Sequence, residues 1–335
     1  MVDKRLILAV AGSGKTRLII EKLDTDKNYL IITYTNSNYA LIKRRVIKKF
    51  GFLPNNIHII KFFEFLYSFC CKPFLFFKHD LKGIYWDETP ESSRYSKDEK
   101  KFMTKNNLLY HNRISKFLEE TGTINDIIEK LELFYDYLII DEFQDLGGHD
   151  FNFIMNVSKA KINFLFVGDF FQHTYTTSND GNVNSNLYKD YQKYIKLLEK
   201  NKIYVDTNTL KKSFRCSPTI CNFITENLGI SIESARTDLT KIELVEEQQK
   251  INDILANNEI IKLVFRDATS QTFYSKNWGD SKGEDDYNDT CIILNKTTTK
   301  LFNKSKLLEL APLSKNKLYV ALTRTKSNCY IIKTD

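Results

Sequence analysis

Residues 9–16, AVAGSGKT, carry the parts of a phosphate-binding loop: two spaced glycines, then a lysine and a hydroxyl residue. Gly12 and Gly14 let successive backbone N–H groups close around phosphate oxygens, at a helix N-terminus whose dipole already favours negative charge. Lys15 is spaced to reach the β and γ phosphates and Thr16 to hold Mg²⁺. The expected nucleotide-binding set is Ala11, Gly12, Ser13, Gly14, Lys15, Thr16 and Arg17. The generic pattern G-x4-G-K-[ST] opens on glycine, and here Ala9 keeps that position small. The competing reading of these residues is a Gly-rich turn that binds nothing.

Such a loop needs a metal-binding acid at the end of another strand. FYDYLIIDEFQD supplies the apolar run Tyr137 to Ile140, ending in Asp141 and Glu142. Asp141 can hold Mg²⁺ through water, and Glu142 can then orient and deprotonate an attacking water, which makes the chemistry hydrolysis. A strand ending in solvated acids is the plain alternative. INFLFVGDFFQ is a third apolar run, ending in Gly168 and Asp169 and followed by Gln172, a polar group able to sense a γ-phosphate.

The elements that must position these groups are legible as strand, loop and helix. Leu6 to Val10 is apolar, Thr16 to Leu23 has helical periodicity, and the strand YLIITYT begins at Tyr29, as in a βαβ unit of an α/β fold. The chain has 335 residues, 42% of them hydrophobic, enough for two or three domains with real cores. Its formal net charge of +7 suits a polyanionic partner. Six cysteines form no C-x2-C pair, which argues for reduced thiols and a cytoplasmic setting. The apolar stretch Phe62 to Phe77 is too short for a membrane span and contains Glu64 and Lys72, and no signal peptide is expected.

Taken in order, these strings resemble the motifs of superfamily 1 helicases of the UvrD, PcrA and Rep type. AVAGSGKT resembles the first motif, ITYTNSNYA the one after the first helix, and DEFQD and VGDFFQ the second and third. LKKSFRCSPTI, WGDSKGED and YVALTRTKSNCYII are similar to the fourth, fifth and sixth. The resemblance implies two RecA-like P-loop NTPase domains with parallel sheets and ATP in the cleft between them. The first is expected over 1–72 and 131–210, with a small helical insertion at 73–130, and the second over 211–335. Within the insertion, Leu108 to Leu118 reads as helical and DETPESSRYSKDEKK as a surface loop.

The resemblance also assigns roles. Arg215 and Arg324 match the family's cross-domain arginines, which would stabilise charge on the transferring phosphoryl group and join Lys15, Glu142 and Gln172 as catalytic. Lys282 and Gly283 fall where the family meets phosphate and the strand backbone. Glu284 and Asp285 compete for the place of its ribose-contacting acid. Tyr34 matches an aromatic that meets the nucleic acid, unless it packs inside, with Thr33, Thr35 and Asn36 as phosphate contacts. Tyr175 could stack on adenine or on a base. Lys61 stands in a string that departs from the family's Thr-Phe-His. Thr177 and Ser178 stand where the family has a stacking Trp and an Arg.

With only about eight residues ahead of Ala9, adenine specificity through the family's upstream glutamine segment is not expected, and the interval from Arg215 to Lys282 is too short for its large accessory domain. The expected activity is Mg-ATP hydrolysis coupled to 3′ to 5′ movement on single-stranded DNA. A DNA- or partner-gated ATPase beside a nuclease, as in antiviral defence or repair, is the second expectation. A non-hydrolysing DNA-binding module is the third.

Overall fold

A computed structural model of the chain describes residues 2–96, 98–175, 181–284 and 287–334. Eight strands occupy the N-terminal part: β1 Lys4–Leu8, β2 Tyr29–Thr33, β3 Ile57–Lys61, β4 Gly83–Tyr85, β5 Leu108–Tyr110, β6 Tyr137–Ile140, β7 Asn163–Gly168 and β8 Tyr204–Asp206. Six of them make one sheet in the order β3-β2-β6-β7-β1-β8. β2 is parallel to both β3 and β6, and β6 to β7. β2 is buried along its whole length and β7 all but its first residue, the condition of a parallel sheet covered on both faces. This burial explains why the runs LIIT and FLFVG are continuously apolar.

Helix α1 (Lys15–Lys22) follows the phosphate-loop sequence, and α2 (Asn36–Phe50) follows β2. The Thr35 hydroxyl caps α2 by accepting from the Asn38 amide at 3.1 Å, and Gly51 ends it in a left-handed conformation. The apolar stretch after β3 is a continuous helical run, Phe62–Glu64, Phe65–Cys71 and Lys72–Leu75, whose middle segment is π-helical. Phe65, Leu66, Cys70, Cys71 and Leu75 are its buried face.

The helical reading of 108–118 is corrected in its first half. Leu108 to Tyr110 is the strand β5, paired in parallel with β4 from Gly83↔Leu108 to Tyr85↔Tyr110. Two apolar residues and a tyrosine suit a pleated ribbon; a 3₁₀ turn, His111–Arg113, follows, and the α-helix is Ile114–Glu120. DETPESSRYSKDEKK contains the short turns Glu91–Tyr95 and Glu99–Lys101.

The C-terminal part holds β9 Lys212–Ser213, β10 Glu233–Ser234, β11 Ile242–Leu244, β12 Ile261–Val264, β13 Ser275–Asn277, β14 Thr290–Ile293 and β15 Cys329–Ile332. β9 and β10 pair by themselves, and the others form a second sheet, β11-β15-β14-β12-β13, parallel at every step. Its core centres on Trp278, wholly buried, whose indole N–H donates to the Leu263 carbonyl at 2.9 Å. The architecture is α/β, with RecA-like parallel sheets.

Proximity divides the chain into two compact units. One comprises Met1–Leu6, Thr16–Gly168 and Tyr175–Val205; the other Ile7–Lys15, Asp169–Thr174 and Asp206–Asp335. The phosphate-loop residues thus group with the arginine-bearing segments, because Val10 and Ala11 pack in the same apolar cluster as Trp278 and Tyr319. Among the described residues, no helix is long and apolar enough to cross a membrane. All six cysteines are free and buried.

Gly168 closes β7 against the turn that follows β6. A Cβ there would lie 2.6 Å from Gln144 Oε1 and 3.1 Å from the Gln144 amide nitrogen, a backbone atom with little room to retreat. Gly168→Ala should therefore destabilise the N-terminal unit by about 1–3 kcal/mol, read as a lowered melting temperature of the purified chain.

Candidate nucleotide site and strand-facing surface

The loop between β1 and α1 turns on two left-handed glycines, Gly12 at φ 71° and Gly14 at φ 92°. Gly12 is required a second time by space, since a Cβ would fall 2.7 Å from Arg215 Cβ and 2.8 Å from Ser213 Oγ. The Phe214 amide donates to the Gly12 carbonyl at 2.9 Å and the Val10 amide to Leu210 at 3.0 Å. Loop and arginine-bearing segment are therefore in direct backbone contact.

Two of the expected nucleotide ligands have their donors engaged within the protein. Ser13 is buried, with its amide 3.3 Å and its hydroxyl 2.7 Å from the Val10 carbonyl. The Ala11 amide donates to the Tyr319 hydroxyl at 3.0 Å. Both residues shape the loop, and their donors are met from within the protein. Arg17 is exposed and pairs with Glu21 one turn along α1 at 2.7 Å.

Tyr319 was not singled out by the sequence, and it joins the loop to the Asp169 turn. It is fully buried on the helix Pro312–Leu322, accepts from Ala11 and donates to Asp169 Oδ2 at 3.0 Å. Burial, with the Asp169 carboxylate alongside, pushes its phenol well above the ordinary tyrosine range, so the hydroxyl keeps the proton it donates. Asp169 Oδ1 in turn accepts from the Phe171 amide at 3.1 Å, capping the turn Phe170–Gln172 that carries the buried Gln172. From the same helix, Asn316 donates to the His173 carbonyl at 3.0 Å.

The two arginines reach the far end of that helix. Arg215 Nη1 donates to the Thr323 carbonyl at 3.1 Å. Arg324, only 1% exposed, donates from Nε to Val320 at 3.2 Å and from Nη1 to the Glu284 carbonyl at 2.8 Å. Arg236, which no motif signals, donates to the carbonyls of Arg215 and Lys326 and pairs with Asp238. The Cys221 thiol and the Ser213 hydroxyl beside Cys216, with both motif arginines nearby, hold the Cys216 thiol below its ordinary range. Gly283 is left-handed at φ 84°, and Lys282 beside it is half-buried. The Glu284 carboxylate meets Lys276 and the Tyr287 hydroxyl. Asp285, like Thr177 and Ser178, lies outside the described residues.

The N-terminal unit holds the acids. Asp141 is 2% exposed at the end of β6, its amide 3.0 Å from the Ile32 carbonyl. Glu142 adopts a left-handed conformation, φ 55° and ψ 45°, that a glutamate rarely takes, and the Gln144 amide donates to its carboxylate. Strain of this kind persists only where surroundings impose it, and here Phe143 is locked by stacking on Phe166 at 4.5 Å. Tyr175 leaves its ring 47% exposed while its hydroxyl donates to the buried Asp145 at 3.0 Å.

The expected strand contacts differ in exposure, and Thr33 has none. It is wholly buried in β2, so its hydroxyl faces no solvent. Tyr34 packs inward: its ring lies 5.2 Å from Phe62 and its hydroxyl is buried. Thr35, Asn36 and Lys61 are exposed, and Lys61 Nζ donates to Asn36 Oδ1 at 3.1 Å. They form a polar, cationic patch at the N-terminus of α2.

Two parallel sheets, a glycine-turned phosphate loop and two arginines on the opposite sequence half define a superfamily 1 helicase-type P-loop protein. The sequence matches the viral superfamily 1 RNA helicase core domain over residues 101–333, and the chain belongs to that family. Among solved structures, arterivirus nonstructural protein 10 (helicase) in complex with DNA is similar at TM-score 0.54 and 12% identity, covering 98% of this chain and 60% of that one. A crystal structure of arterivirus nonstructural protein 10 (helicase) gives 0.50 at 11%, covering 98% and 59%, and the PRRSV helicase 0.49 at 12%, covering 98% and 52%. The likeness is one of fold, and the chain spans about 60% of the first neighbour's length. No curated protein matches the sequence.

Replacing Tyr319 by Phe removes the hydroxyl and leaves the Ala11 amide and the buried Asp169 carboxylate each short of a partner. Tyr319→Phe should cost about 1–3 kcal/mol, seen as a lower melting temperature and weaker nucleotide binding by the same protein.

Proposed function

We propose that the chain is an ATP-driven motor on single-stranded nucleic acid, hydrolysing Mg-ATP to move along the strand. The observation that carries this reading is the packing of Gly12 against Arg215, which couples the phosphate loop to an arginine of the other sequence half. The donor set fits the nucleotide and the metal: two left-handed glycines precede α1, and a buried carboxylate, Asp141, ends β6. Thr16 and Asp141 would hold Mg²⁺, which when bound offsets phosphate charge. Lys15 binds the β and γ phosphates, and Gln172 senses the γ-phosphate. Glu142 takes the proton of the attacking water, its carboxylate oriented by Gln144. Arg215 and Arg324 stabilise charge on the departing phosphoryl group.

For the strand, Thr35, Asn36 and Lys61 bind phosphates; Lys282 is a separate phosphate contact of the C-terminal unit. The exposed Tyr175 ring stacks on adenine or a base. The motif wording is similar to the UvrD type, from which 3′ to 5′ movement on DNA follows; the matching family is described for RNA helicases, so RNA is the competing substrate. The first experiment measures ATP hydrolysis with single-stranded DNA, with single-stranded RNA and with neither. Stimulation by a strand supports a motor, and the more effective polymer names the track. A flat, low rate would overturn it in favour of a subunit that waits for a nuclease or other partner.

Two variants test the assignments. Lys15→Ala should abolish hydrolysis, and Glu142→Gln should bind ATP normally while kcat falls by roughly 10²- to 10⁴-fold, the range for loss of a general base. Turnover at the normal rate in Glu142→Gln would remove that residue from the mechanism.

A further inference from the structure

Trp86 is one of two tryptophans in the chain and is 63% exposed, whereas Trp278 is wholly buried. The position of Trp86 is built from both sides. It directly follows β4, whose last residue Tyr85 pairs with Tyr110, and His111 directly follows that partner on β5. The two rings consequently stand side by side, 5.8 Å apart and 23° from parallel. His111 Nδ1 lies 3.3 Å from the Tyr85 carbonyl, which fixes the imidazole, and Thr89 donates to Asn112 at 2.8 Å across the same two segments. Toward the helical run after β3, Trp86 meets Phe63 at 4.7 Å, and Phe63 stacks on Tyr67 at 6.2 Å. Four aromatic rings thus form one ladder, and its indole member is open to solvent.

Phe63 is two residues from Lys61, so the ladder begins within about 7 Å of chain from the cationic patch of Thr35, Asn36 and Lys61. Glu64, next to Phe63, and Asp87 and Glu88, which directly follow Trp86, are exposed as well and repel phosphate beside themselves. An open indole flanked by one cation and by acids suits an uncharged flat group attached to a polyanion that runs on the lysine side. We infer that Trp86, held by Phe63 and His111, is a base-stacking platform for single-stranded nucleic acid, with Lys61 and Asn36 taking the adjoining phosphate. The site supplies a stacking surface in a chain whose third-motif region has Thr177 and Ser178 in place of the aromatic of its UvrD-type resemblance. The inference rests on the reading of the chain as a strand-dependent motor.

The two-tryptophan composition supplies the test. Fluorescein-labelled oligothymidylate and oligouridylate are titrated against the full chain, Trp86→Phe, Trp86→Ala and Phe77→Ala, following label anisotropy and intrinsic tryptophan emission together. Melting curves establish that each variant is folded. The expected result is quenching in the wild type that disappears in Trp86→Phe with affinity nearly kept, and roughly 5- to 150-fold weaker binding in Trp86→Ala, the worth of one base stack. Phe77, 91% exposed and outside the ladder, should be replaceable without effect. Thymidylate against uridylate tells which strand is preferred. Anisotropy reporting tight binding with no quenching, or unchanged affinity in Trp86→Ala, would overturn the platform while leaving the motor standing, with Trp86 then a protein contact. No binding of either strand by the wild type would overturn both.

Discussion

The Tyr319 hydroxyl is the point on which the C-terminal unit's chemistry is hung. It accepts from the Ala11 amide and donates to the Asp169 carboxylate, each at 3.0 Å. A phosphate loop by itself is a flexible, glycine-rich turn whose amides can point anywhere. Here one amide is fixed by a side chain from helix Pro312–Leu322, and Ser13 closes the turn on Val10. The loop's path is thereby set by contacts within the protein rather than by a ligand. Preorganisation of this kind spares the ligand the entropic cost of ordering the loop.

The arginines obey the same logic from the other end. Arg215 is held through Thr323 and by Arg236 on its own carbonyl, and Arg324 by Val320 and Glu284. Guanidinium groups are well suited to this, because a rigid fork of five donors can satisfy several carbonyls at once. Every segment with a proposed role in nucleotide chemistry in this unit is thereby tied to one helix or its immediate end. In the N-terminal unit the corresponding anchor is the β6–β7 pair, with Gly168 permitting the close approach of Gln144.

The parts of this arrangement that were legible in the sequence are those with local signals. β2, β6 and β7 are unbroken apolar runs, and the glycine spacing of residues 12–16 names its chemistry. The strand at Leu108–Tyr110 was not legible, since three apolar residues have no period and only their partner at Gly83–Tyr85 decides between ribbon and helix. Tyr319 and Ala11 are 308 residues apart, and nothing local to either tells of the other. Likewise the burial of Thr33 and of the Tyr34 hydroxyl, whose ring packs on Phe62, is something no alternation within ITYTN reports. Motif position located these residues, but three-dimensional packing decided which face they show.

Helix Pro312–Leu322 and its C-terminal residue Thr323 also act as a ruler. Asn316 and Tyr319 are three residues apart, so their side chains meet His173 and Ala11 from one face, and the Thr323 carbonyl just past the helix end accepts from Arg215, at fixed heights along a single axis. Successive residues on such a helix are turned by 100°, so inserting or deleting one residue between Asn316 and Thr323 would take part of that face out of phase with its partners. Leu318 to Leu322 are all buried, so this stretch is enclosed around its whole circumference and its length is quantised.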